Sequence, residues 1–325
     1  MYYNEVFLEQ LTKYRYATKH GGVAMSDDFL NDPGTVYHYC SYDTFKKIIE
    51  GHVIWLSDIS RSNDFTEISL YIDAIKQQIV EMSVRAATSP ILNAINVREV
   101  VSGYLSLLAS KNANAYFALC TCIEPDLLSQ WDRYAAHSTG VAIGFNARKL
   151  FELCSVFIEE RPRDGSSLGG LFGRIHYVAN AEFFRRDVVR HFPSEFPPIE
   201  PPYLAPITTE WVLNIVCNYA IHWLNQASWY KHNGFAEEQE FRFAMNRLRT
   251  WAKKPEDDFL QLHKNGEGES VFHYELHIGN CDGIIDEIIL GPKCKQTPEH
   301  VQEYMNRHGY GILGSKVRTS TIPLA

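Results

Sequence analysis

Residues 229–243, WYKHNGFAEEQEFRF, concentrate the groups most able to do chemistry in this chain. Read as a strand, the end of this stretch alternates Glu238, Glu240 and Arg242 with Gln239, Phe241 and Phe243. A two-residue period then sets two carboxylates and a guanidinium on one face and apolar groups on the other. Such a face suits a site that holds a hydroxyl and stabilises a developing cation. A water-facing strand edge with an Arg–Glu pair fits the same pattern.

A second group of candidates lies in VYHYC (36–40), followed by a helical stretch and HVIWLSD (52–58). His38 faces opposite to Tyr37 and Tyr39, and as a strand histidine it also fits a core role. With Trp55 and Ser57 on the next strand, these residues make a compact aromatic-walled slot. That slot suits a flat heterocycle with an attached sugar, held by stacking and a few directed hydrogen bonds. In SRSNDFTE (60–67), Asn63 or Asp64 with Glu67 makes a competent helix cap, and a cap near the pocket could also hold ribose hydroxyls. In QWDRYAAHSTGVAIGF (130–145), helical spacing puts Trp131, Tyr134 and His137 or Ser138 on one face, which reads as core or as pocket wall.

The elements that must position these residues follow from periodicity and punctuation. Ser41 is the expected N-cap and Gly51 the stop of a helix over 41–51. Strands are expected at 36–40, 52–58, 116–122, 141–145, 173–178, 271–278, 286–292 and 317–323. Helices are expected at 4–16, 125–138, 208–230 and 297–308. Residues 64–112 read as a helical insertion, and 159–230 as a less characteristic insertion with a long helix. Strands and helices interleave without a regular βαβ rhythm, which predicts one α+β domain over 1–325 with a mixed, mostly antiparallel sheet.

Bulk properties narrow the function classes. With 325 residues, 45% hydrophobic and 22% charged, the chain has the composition of a globular domain with a substantial core. Its net charge of −8 argues against wrapping nucleic acid non-specifically, because phosphate binding rests on accumulated Lys and Arg. Seven cysteines, odd in number and without CxxC spacing, predict a reduced cytoplasmic protein with neither a disulfide framework nor a structural zinc site. No signal-peptide layout and no apolar run of spanning length is present, so no membrane partner is expected. Phosphate loops, GxGxxG, HExxH and GxSxG are absent, and the 13 histidines do not gather at metal-ligand spacing.

The blocks at 36–67, 119–145, 231–243 and 285–293 resemble the bacterial domain-of-unknown-function family two-nine-seven-one. The first block also resembles the opening of the His–Tyr–Glu branch of the ADP-ribosyltransferases: a strand with a central His, a helix ending in Gly, then a strand with an aromatic and a Ser. That likeness implies an ADP-ribosyltransferase-type sheet core in which His38 holds the ribose of NAD, a substrate here rather than a resident cofactor. Glu240 would hold the ribose hydroxyl beside the scissile bond, meeting His38 across a dinucleotide-sized slot. Glu238 would activate the acceptor, and Arg242 would orient a carboxylate or bind diphosphate. Tyr39, Trp55, Ser57, Asn63, Asp64 and Tyr134 join the cofactor-binding set, with Trp55 stacking on nicotinamide and Tyr71 or Tyr134 as rivals. No metal is required. The implied activity is mono-ADP-ribosyl transfer to a macromolecule, nucleic acid slightly before protein, as in a toxin with an antitoxin partner or an antiphage effector. The alternatives are a NAD glycohydrolase and a non-catalytic module that binds a nucleotide or partner protein.

Overall fold

A computed structural model describes residues 23–25, 34–59, 71, 73, 103, 106, 114–159, 167–178, 227–248, 260–264, 268, 270–279, 281–310 and 316–323. Ser41 caps α1 (Tyr42–Gly51): its Oγ accepts from the Thr44 backbone N–H at 3.0 Å. Phe45, Ile48 and Ile49, spaced three and four apart, form the buried stripe of that helix. The stop is His52 rather than Gly51. His52 takes the left-handed conformation at φ 54°, and its backbone N–H donates to the Ile48 carbonyl. Thr297 caps α4 (Pro298–Arg307) in the same way, with Pro298 in the first turn where its missing N–H costs nothing.

Among the described residues, eleven strands form one sheet. Its main path runs β1 (Val23–Met25), β6 (Ser167–Arg174), β9 (Glu240–Leu248), β4 (Asn114–Cys122), β2 (Thr35–Cys40), β5 (Val141–Asn146), β12 (Ile285–Leu290) and β13 (Lys316–Thr319). A branch leaves β4 through β3 (Val53–Asp58) to β11 (Ser270–His277) and β10 (Leu260–Lys264). Only β1–β6 and β12–β13 pair in parallel within this sheet, so the fold is α+β with a mixed, mostly antiparallel core, as the sequence predicts. β7 (His176–Val178) and β8 (Tyr230–His232) form a separate parallel pair.

The branch makes the sheet fork. β9 occupies one edge of β4 along its whole length, from Asn114↔Leu248 to Cys122↔Glu240. The opposite edge is shared: β3 pairs at Phe117 and Ala118, and β2 pairs only at Cys122. Between those contacts β2 and β3 diverge past Leu119, Cys120 and Thr121.

Alternation along the strands separates two faces. Val36, Cys40, Phe117, Leu119, Phe241 and Phe243 point to the core, which α1 and α3 (Ala147–Glu159) help to build through Phe45, Ile49, Leu150 and Cys154. Tyr37, Tyr39, Cys122, Ala142 and Ile289 point the other way, and α2 (Leu128–Tyr134) covers them with Trp131. Beyond that cover, the second face carries Trp55, Ser57, Cys120, Glu240 and Arg242 by register.

Several expected elements differ. The helix expected through 138 ends at Tyr134, because Ala136, His137 and Ser138 all take positive φ, a left-handed run that no α-helix continues. The strand expected at 173–178 is two: β6 extends back to Ser167 and is paired along β9 in the main sheet, while β7 joins β8. The expected helix over 208–230 lies outside the described residues except for its end, where Ala227–Trp229 is a 3-10 turn and Tyr230 already begins β8. The 4–16 helix lies outside the described residues. No helix among them is long and apolar enough to cross a membrane.

Candidate functional site

Glu238 does not stand on the strand that carries Glu240. It closes a 3-10 helix, Asn233–Glu238, and Gln239 then turns through φ 44° before β9 begins at Glu240. The alternation expected over 238–242 therefore holds only for Glu240 and Arg242. Glu238 is nevertheless brought beside them, because this short turn folds the chain back on β8. The Asn233-Gly234 start of the turn is fixed by the Gly234 N–H donating to His232 Nδ1 at 3.0 Å. Buried Gln130 donates to the Glu238 carbonyl at 3.3 Å and ties its end to α2.

The result is a buried charge network. Lys231 Nζ lies 2.7 Å from Glu238 Oε2 and 3.3 Å from Glu240 Oε2. Arg242 Nε donates to Glu240 Oε1 at 2.7 Å, and its Nη1 donates to the Ser228 carbonyl at 2.8 Å. Tyr134 Oη donates to Glu238 Oε1 at 2.9 Å, and Arg133 Nη1 approaches the same oxygen at 3.2 Å. Glu238, Glu240, Lys231 and Arg242 are 3%, 5%, 6% and 1% exposed, so each charge depends on its partners rather than on water. Burial opposes ionisation of Glu240, but Arg242, Lys231 and the Cys120 thiol outweigh it and hold the carboxyl below its ordinary value. The Glu240 backbone N–H donates to Tyr177 Oη at 2.8 Å, which anchors the start of β9 to β7.

His38 reaches the same strand from the other side. Register places it with core-facing Ile143, between Val36 and Cys40. Its Nδ1 lies 3.1 Å from the Cys120 carbonyl, in the gap where β2 and β3 part. Burial depresses its basicity, and the Cys120 carbonyl counteracts this. His38 and Glu240 therefore do not face each other across an open slot by register. They meet at Cys120, one on its carbonyl and one on its thiol, as the sheet diverges. Cys120 is exposed although Leu119, Thr121 and Cys122 are buried, which marks where the second face opens to solvent.

The other expected site residues divide. Tyr134 is 38% exposed and joins the network through Glu238, and Trp55 is 40% exposed and stacked on His273 with centroids 3.8 Å apart. Ser57 is exposed on the same arm. Tyr39 is packing: its ring meets Trp131 edge-on, its hydroxyl donates to the Glu124 carbonyl, and it accepts from the Leu127 N–H. Tyr71 is fully buried against Tyr230. His137 is exposed with Asp132, past the end of α2, where it takes a positive φ, while Trp131 is buried and Tyr134 is exposed and bonded to Glu238. Asn63 and Asp64 lie outside the described residues. Lys231, Arg133 and Tyr177 belong to the site without being sequence candidates, and Cys120 joins it as the thiol beside Glu240 rather than as a nucleophile. The signal for Lys231 was the Asn-Gly turn, which returns the chain so that Lys231 meets residues seven and nine positions later.

No curated protein and no solved structure matches the chain. The segment from α2 to β9 does match a family model, and it contains Tyr134, Lys231, Glu238, Glu240 and Arg242. Residues 130–243 match the model of the family described as Protein of unknown function (DUF2971), the family that the second and third sequence blocks resemble.

Proposed function

We propose that the chain is a NAD-dependent mono-ADP-ribosyltransferase whose acceptor is a macromolecule, nucleic acid before protein. The observation that carries this reading is the forked sheet: its opening lies over Cys120, with Glu240 held ionised between two cations on that face and His38 on the Cys120 carbonyl from the core side. Breaking the bond between ribose C1′ and the nicotinamide nitrogen sends the bonding pair to nicotinamide and leaves positive charge on the sugar. A fixed carboxylate beside that carbon lowers the barrier as charge develops. The acceptor lone pair then bonds to C1′, and the acceptor proton passes to Glu238, which Tyr134 and Arg133 orient. Trp55 and Ser57 line the far arm of the fork, where a planar ring and its ribose would lie.

Incubation with adenine-labelled NAD and whole-cell lysate tests the reading. Label is expected on macromolecules, lost on nuclease digestion and absent with Glu240→Gln. Label that stays wholly on small molecules would identify water as the acceptor and make the chain a glycohydrolase. One observation favours a structural role instead: the network is self-neutralised, with both carboxylates bonded to cations inside the fold. That alternative predicts no nicotinamide release by the wild type.

A further inference from the structure

A second cluster lies on the outer arm of the fork. In the antiparallel pair β10–β11, Gln261 stands opposite His273, so His263 is the diagonal neighbour of His273 on the same face. Their Nδ1 atoms are 3.3 Å apart. Two imidazole nitrogens bound to one tetrahedral metal ion at ~2.0–2.1 Å are separated by about 3.3–3.4 Å, so the pair already has the spacing of two ligands. His273 is 3% exposed, and its other nitrogen, Nε2, is buried with no hydrogen-bond partner. Glu275 Oε1 lies 3.7 Å from that Nε2. Metal on Nδ1 would fix the proton on Nε2 and give it the carboxylate as partner, the usual outer-sphere arrangement of a ligating histidine.

We propose that His263 and His273 form a two-nitrogen site for a borderline divalent transition metal such as Zn(II), Ni(II) or Cu(II), with Glu275 orienting His273. No set of three or more protein donors gathers among the described residues, so water or an exogenous donor completes the coordination. Trp55 reports the site: its ring centroid is 3.8 Å from that of His273 and 4.5 Å from that of His263. The site does not depend on the transferase reading.

The test uses the full chain without a histidine tag. Calorimetric titration with ZnCl2 is expected to show one saturable equivalent, and His263→Ala is expected to weaken it at least tenfold. His263 lies partly exposed on β10, and circular dichroism checks that the variant folds. Independently, CuCl2 is expected to quench a saturable part of the tryptophan fluorescence of the wild type, and Trp55→Phe removes that part while keeping the metal heat. Absence of a saturable Zn(II) equivalent, or one unchanged in His263→Ala, would overturn the assignment.

Discussion

Four buried charges, Glu240 with Glu238, Lys231 and Arg242, set the energetics of the site at the scale of single residues. Lys231 bridges Glu238 and Glu240, so Lys231→Met leaves two buried carboxylates with less compensation. Breaking a buried pair in this way costs about 3–5 kcal/mol, and urea unfolding should show that loss. The acid limb of stability follows from the same groups. Arg242 and Lys231 hold the folded Glu240 carboxyl below its unfolded value, so its ionisation stabilises the fold at pH above the ordinary glutamate range. That contribution is lost as pH falls through the depressed folded value. Urea midpoints measured from pH 7 to pH 3 should decline more steeply for the wild type than for Glu240→Gln. The types of these residues were legible in the sequence, and the pairing of Glu240 with Arg242 followed from a two-residue period. The displacement of Glu238 was not legible, because a 3-10 turn ending in a left-handed Gln239 leaves no periodic trace.

At the scale of elements, the site depends on how α2 is held. Asp126, just before α2, accepts from Trp131 Nε1 at 2.7 Å, Ser320 Oγ at 2.6 Å and the Thr321 N–H at 2.6 Å. One carboxylate thus ties the chain after β13 to the helix that carries Arg133 and Tyr134. Asp126→Ala should cost about 1–2 kcal/mol, since the group is partly solvated, and should speed amide exchange in α2. The left-handed run after α2 ends in a tight crossing. A Cβ on Gly140 would lie 2.1 Å from the Cys40 carbonyl oxygen, and one on Gly291 would lie 2.4 Å from that of Ser138. Backbone on both sides cannot give way as a side chain can, so Gly140→Ala should destabilise by about 3 kcal/mol or more, read as a thermal shift. Here the sequence signalled a stop at Gly140 but not its reason. Close approach of chain segments 100 residues or more apart has no local signature, and three consecutive positive-φ residues contradict the helical spacing of 130–138.

For the whole molecule, the division of labour is between two faces of one forked sheet. One face is the main apolar core built with α1 and α3; the other carries a smaller apolar cluster under α2 and then a charged region that opens at Cys120 toward the β3–β11–β10 arm. Most strands and the mixed, mostly antiparallel character of the sheet were readable from alternation and turn residues, but β1, β8 and β10 were not. The fork was not, because it arises from β2 and β3 sharing one edge of β4, a pairing between segments some 60–85 positions apart. The reading of function rests on that fork and on Glu240 within it. The most direct measurement is the rate of nicotinamide release from NAD by the wild type and by Glu240→Gln, with thermal unfolding confirming that both are folded. The wild type should release nicotinamide, and the variant should be at least about a hundredfold slower, as expected when a group acting on transition-state charge is lost. Equal rates in the two folded proteins, or no release by the wild type, would contradict the account.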